Sequence, residues 1–168
     1  MTEESLDRIT SLSSELVTGF TMMAEGVGQL VERFKALPFM ARPFAQKDFE
    51  LSIGFEPEEW HDFLKRLTAR LEQIRDAAST VKEGKPLETL KEASAPFLER
   101  VDLVAEKVRA FQRYMEEAPK KIEKVPKMFI SDKDREQIKQ APEAAIMIGK
   151  AADGLLELRD GLKQQLKT

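Results

Sequence analysis

Apolar residues separated by alternating steps of three and four govern what this chain can become. From about residue 4 they fall at Leu6, Ile9, Leu16, Phe20, Met23, Val27, Leu30, Phe34 and Leu37, with Ser13 as the single polar member of the series. A strand repeats every two residues and cannot produce this register, whereas one stripe along a supercoiled helix does. The same stepping returns three times. It passes through Trp60, Leu64, Leu67, Leu71, Ile74, Ala78 and Val81. It recurs through Leu87, Leu90, Ser94, Phe97, Val101, Val104, Val108, Phe111 and Met115, and last through Ile138, Ala141, Ala145, Ile148, Ala152, Leu155, Leu162 and Leu166.

Punctuation residues set the borders of these stripes. Pro38 closes the first, Pro57 suits the first turn of the second, Gly84-Lys85-Pro86 separates the second from the third, and Pro119 closes the third. Ser131 with Asp134 three residues on is a capping-box-like start for the fourth. The spacing therefore predicts helices over 4–37, 57–83, 86–118 and 131–166, in a single domain covering 1–168. Pro96 and Pro142 are expected to kink or restart their helices, since each removes a backbone donor. A lone helix with one apolar stripe cannot bury it. Four in one chain can, as an antiparallel up-down-up-down four-helix bundle of coiled-coil type. An elongated hairpin completed by dimerisation is the alternative.

Two features bear on how the helices pair. Gly19 and Gly26 in the first helix, and Gly154 and Gly161 in the fourth, are each seven residues apart. Glycine costs about 1 kcal/mol per helical position relative to alanine, so these pairs predict a close approach of the first helix to the fourth. Beyond its main stripe the fourth helix carries a second apolar seam, Ala144, Met147, Ala151, Gly154 and Leu158, which suggests contact with another subunit and hence self-association.

An up-down bundle places its first and third connections at one end. Connections should be polar if they only reverse the chain. Connection 38–56 instead carries Phe39, Met40, Phe44, Phe49, Leu51, Ile53 and Phe55, and connection 119–130 carries Met128 and Phe129 beside Lys120, Lys121, Lys124 and Lys127. Within the first, residues 49–55 alternate strictly, which predicts a short extended, β-like segment. These thirteen residues are the candidate interaction site. They either cap the core as a lid or form a recognition tip for a protein partner, with an anionic lipid surface as the alternative partner.

Composition narrows the functional classes. The absence of cysteine excludes disulfides, iron–sulfur centres, thiolate zinc sites and a cysteine nucleophile. The single histidine, His61, lies in one Glu-x-x-His pair, whereas di-metal bundles need two such pairs, so no metal and no cofactor are expected. Asp62 beside it would repel an incoming phosphoryl group. With 27 basic against 30 acidic residues, the net charge of −3 argues against nucleic-acid binding. No apolar run approaches the ~18 residues needed to span a bilayer, and the first residues show no signal-peptide pattern, so a cytoplasmic location is expected. The sequence reads as a non-enzymatic interaction or scaffold protein.

Overall fold

A computed structural model describes residues 2–167, and this part of the chain is all-helical. Its elements are α1 (Glu3–Ala36), α2 (Arg42–Ile53), α3 (Pro57–Lys82), α4 (Leu87–Glu123), a 3-10 turn (Lys127–Phe129), α5 (Asp132–Ile138) and α6 (Ala141–Leu166). Thr2 starts α1 by accepting a hydrogen bond from the Ser5 amide at 3.1 Å, and Leu37 ends it in an extended conformation ahead of Pro38. A capping box between Glu56 and Glu59 opens α3, with Pro57 in its first turn.

The four long helices pack as two extensive pairs, α1 with α3 and α4 with α6, joined more lightly along α1–α6 and α3–α4. Ion pairs give the directions. Lys82, at the end of α3, meets Asp7 at 2.5 Å near the start of α1, while Lys35 meets Glu58 at 3.1 Å at the opposite end of the same pair. Arg109 and Arg159 reach Asp153 and Asp102 between α4 and α6. The buried residues form one core that includes Phe20, Val27, Trp60, Leu64, Leu71, Ile74, Leu90, Phe97, Val108, Leu155 and Leu162. Each large side chain so enclosed contributes about 1.5–3 kcal/mol, enough to hold single-stripe helices that would not persist alone.

Burial follows the sequence stripe closely on α3, α4 and α6 but drifts on α1. Beyond Phe20 the buried positions are Ala24, Val27, Val31 and Phe34, and Met23 and Leu30 are only half-buried. The upper half of α1 is thus turned toward α3 and away from α6. The expected glycine contact is correspondingly restricted. A Cβ on Gly154 would lie 2.8 Å from Leu16 Cδ2, but the positions of Gly19, Gly26 and Gly161 have open space around them. Of these four glycines only Gly154 is pressed by a side chain of the facing helix. The second seam of α6 is also mostly internal: Ala151, Gly154 and Leu158 are buried, leaving Ala144 and Met147 exposed.

Three expectations for the connections need correction. Residues 49–55 are not extended; α2 is helical to Ile53 and ends on Gly54 in the left-handed region at φ 87°. An isolated strand would leave its amides unpaired, whereas a helix satisfies them internally, and Phe49 and Ile53, four apart, still share one buried face. Pro119 does not stop α4, which continues to Glu123. A proline this close to the end of a helix removes only one hydrogen bond, and the extra turn buries Ile122. The fourth predicted helix is two: the chain breaks at Lys139–Gln140, and Pro142 takes a first-turn position in α6. Pro96, by contrast, lies inside a continuous α4.

Candidate functional site: an apolar pole flanked by lysines

Both long connections lie at the end of the molecule where α1 and α4 finish. The element that fills this end is α2, laid against α4. Phe49 is fully buried, with its ring centroid 4.9 Å from that of Tyr114, 6.0 Å from Phe34 and 6.4 Å from Phe111, all in edge-on arrangements. Next to this group, Phe55 stacks on Trp60 at 5.8 Å and packs on Phe63 at 5.3 Å.

Two lysines of α4 hold α2 at either side of Phe49. Lys107 donates to the Ile53 carbonyl at 3.0 Å, meeting one of the unpaired acceptors at the helix end, and its ammonium lies 5.6 Å from the Phe55 ring centroid. Lys121 donates to Asp48 at 2.9 Å and lies 5.0 Å from the Tyr114 centroid. Burial, and secondarily the Asp48 charge, pushes the Tyr114 phenol well above its ordinary range. At the base of the pole the Glu58 carboxylate, by its hydrogen bond and then its charge, raises the Lys35 ammonium.

Arginines tie down the irregular stretches. Arg42 donates to the carbonyls of Lys35 and Leu37, bracing the chain between α1 and α2. Arg135 of α5 donates to the Ile122 carbonyl at 3.2 Å and to Val125 at 2.7 Å, closing the end of α4. Arg33 reaches α5 through Gln137 and Asp134.

The candidate residues therefore separate into two sets. Phe49 and Ile53 are core, Phe55 and Phe129 are half-buried, and Lys121 is occupied by Asp48. Phe39, Met40, Phe44, Leu51 and Met128 stand in solvent, with exposures of 83%, 73%, 77%, 77% and 84%. Lys120, Lys124 and Lys127 are exposed and enter no ion pair among the described residues. Lys47 belongs with them and was missed by the sequence reading. It is exposed between Phe44 and Leu51, and the three-residue step from Phe44 was the available signal. The bracing roles of Lys107, Tyr114, Arg42 and Arg135 depend on tertiary contacts and left no local pattern.

The result is a short helix that is apolar on two sides. Phe49 and Ile53 face the core, while Phe44 and Leu51, seven residues apart, share an outer face. Two surface clefts lie elsewhere: one of about 480 Å³ between the start of α1 and the end of α6, around Arg8 and Glu157, and one of about 310 Å³ beside His61, lined by Thr21, Glu25, Lys65 and Thr68. Among the described residues no group of three or more histidine or carboxylate side chains is placed to hold a metal ion. None of the described helices is long and apolar enough to cross a membrane.

Comparison with protein family models, with curated proteins and with solved structures found no match to this chain.

Proposed function

We propose that this chain is a non-enzymatic, up-down-up-down four-helix docking module that engages a partner through the pole built around α2. The observation that carries the reading is the double-faced apolar character of α2 and its flanking loops. Five large apolar side chains, Phe39, Met40, Phe44, Leu51 and Met128, remain in water although the core beneath them is already closed by Phe49 and Ile53. Scattered apolar residues on a surface are ordinary, but a group at one end is the pattern of an interaction site. Lys47, Lys120, Lys124 and Lys127 give that site a positive rim.

A photoreactive residue placed at Phe44, and separately at the exposed Leu103 on the shaft of α4, tests the reading in cells that make the protein. Adducts, with protein or with lipid, are expected from position 44 and not from position 103. Equal labelling, or none at 44, removes the pole from consideration.

Self-association is the second reading. Its support is the exposed part of the α6 seam at Met147, with Ile146 beside it and Met22 on α1, all 60–63% exposed. Light scattering at micromolar concentration is expected to give a dimer mass. A monomer mass ends this reading.

A further inference from the structure

We infer that the occupant of the pole is an anionic bilayer surface, on which α2 and its flanking loops rest. The inference depends on the pole being a docking site at all, and adds the class of partner.

The shape of the site favours a soft partner. Side chains exposed to 73–84% project into solvent and have few neighbours of their own, so the pole is a set of protrusions. Seating all of these tips in a protein would require a matching set of pockets on that partner. The two clefts described above contain none of these five residues. A bilayer interface needs no matching recess, because headgroups and acyl chains rearrange around an inserted ring.

The charge favours an anionic one. Residues 38–56 and 119–130 together contain six basic residues and four acidic ones, Asp48, Glu50, Glu56 and Glu123. Of the acidic four, Asp48 is paired with Lys121 and Glu56 caps the start of α3, which leaves Glu50 and Glu123 exposed. Two of the six basic groups are engaged, Arg42 with backbone carbonyls and Lys121 with Asp48 and Glu117. Lys47, Lys120, Lys124 and Lys127 are left to meet phosphate and carboxylate headgroups. The chain as a whole carries a charge of −3, so this is a local excess against the molecule's own balance.

The geometry of α2 completes the case. With Phe49 and Ile53 anchored in the core, its opposite face presents Phe44 and Leu51 with Lys47 between them. A helix lying in an interface likewise sets its apolar side chains below the headgroups and its ammonium among them. The anchored face lets the helix dock without unfolding the core.

Flotation of the purified protein with vesicles of phosphatidylcholine alone, and of phosphatidylcholine with 30% phosphatidylserine, tests the inference directly. Binding is expected with the phosphatidylserine vesicles at low salt and to fall steeply at high salt. Reversal of Lys120, Lys124 and Lys127 is expected to weaken it at least about fivefold per lysine. Phe44→Asp is expected to reduce it tenfold or more. These residues are exposed, and circular dichroism checks that each variant keeps its helices. A Phe44→Trp variant gives a second readout, with its emission expected to shift to the blue on anionic vesicles only. No flotation at low salt, equal flotation with neutral vesicles, or binding indifferent to Phe44→Asp overturns the inference. If vesicles fail while position 44 still cross-links to protein, the pole stands and its lipid partner falls. If both fail, the docking reading falls with it.

Discussion

The two ends of the helical stack are closed by different means. At one end the chain turns from α3 to α4 through Glu83–Pro86, with Gly84 at φ 113° and the Lys85 amide donating to the Thr80 carbonyl at 3.0 Å. Lys82 reaches Asp7 and Glu3 across that end, and among the described residues Leu87, at 38%, is the large apolar side chain it leaves open. At the other end a whole helix is laid over the core and the packing is aromatic. A tight turn consumes the apolar surface near it, whereas a helix used as a cover has a second face. The sequence has made that second face apolar as well, and this is what separates the two ends.

The largest test of this contrast sets the two faces of α2 against each other. Phe49→Ala is expected to cost about 3–5 kcal/mol, because it empties the space between Phe34, Phe111 and Tyr114. Phe44→Ala is expected to stay within about 0.5 kcal/mol. Urea unfolding followed by circular dichroism measures both. Comparable losses at the two positions would mean that α2 has no free face, and the contrast between the ends would collapse.

Next in size comes Gly154, the glycine of α6 that packs against Leu16 of α1. Gly154→Leu forces a side chain against Leu16 and is expected to destabilise by about 1–3 kcal/mol. Gly26→Ala, with open space at its Cβ, is expected to stabilise by up to about 1 kcal/mol through helix propensity. A loss at both positions would show that the upper half of the α1–α6 groove is as tightly closed as the lower.

The four long helices were legible because a burial stripe at steps of three and four is a property of sequence and helix geometry together. On α3 almost every predicted position is buried. On α1 the stripe drifts at Met23 and Leu30, since pairing with α3 is the more extensive contact and draws Ala24 and Val31 inward. Nothing local encodes that preference. The cover helix was misread for a definable reason. Phe49, Leu51, Ile53 and Phe55 alternate, but Phe44, Phe49, Leu51 and Ile53 also resolve into two helical faces, and an alternation of seven residues fits either period. The absence of a partner strand decides between them. The composition of the pole was legible residue by residue. Its division into anchors and exposed tips was not, because that depends on which face of α2 meets α4.

High pH reaches the anchored side through Tyr114. Tyr114 is the only tyrosine, so its ionisation can be followed by absorbance without interference from another phenol. The folded protein holds the phenol neutral beyond the pH at which the unfolded chain releases its proton, near 10. The unfolded state therefore loses protons first. The stability associated with Tyr114 is fully present below about pH 10 and is lost as pH climbs toward the raised folded value, by about 1.4 kcal/mol per pH unit. Phenolate absorbance is expected to appear together with loss of helical circular dichroism. Tyr114→Phe should flatten that part of the pH dependence, and an ordinary titration of the phenol in the folded protein would place Tyr114 outside the packed cluster.

The smallest expected effect comes from the polar residues set into the apolar stripes toward the turn-closed end. Ser13 and Ser94 are both fully buried. The Ser13 hydroxyl donates to the Ile9 carbonyl at 2.6 Å, whereas the Ser94 hydroxyl has no hydrogen-bond partner among the described residues. A buried hydroxyl without a partner is destabilising, and its removal leaves only a small gap. Ser94→Ala is expected to raise the unfolding free energy by about 1 kcal/mol, and Ser13→Ala to lower it slightly or leave it unchanged. Opposite signs at these two sites, read from the same urea titrations, would place the difference in hydrogen bonding and not in the size of the side chain. Equal signs would mean that the two positions are energetically alike, and that this end of the core is held by its small residues whatever their polarity.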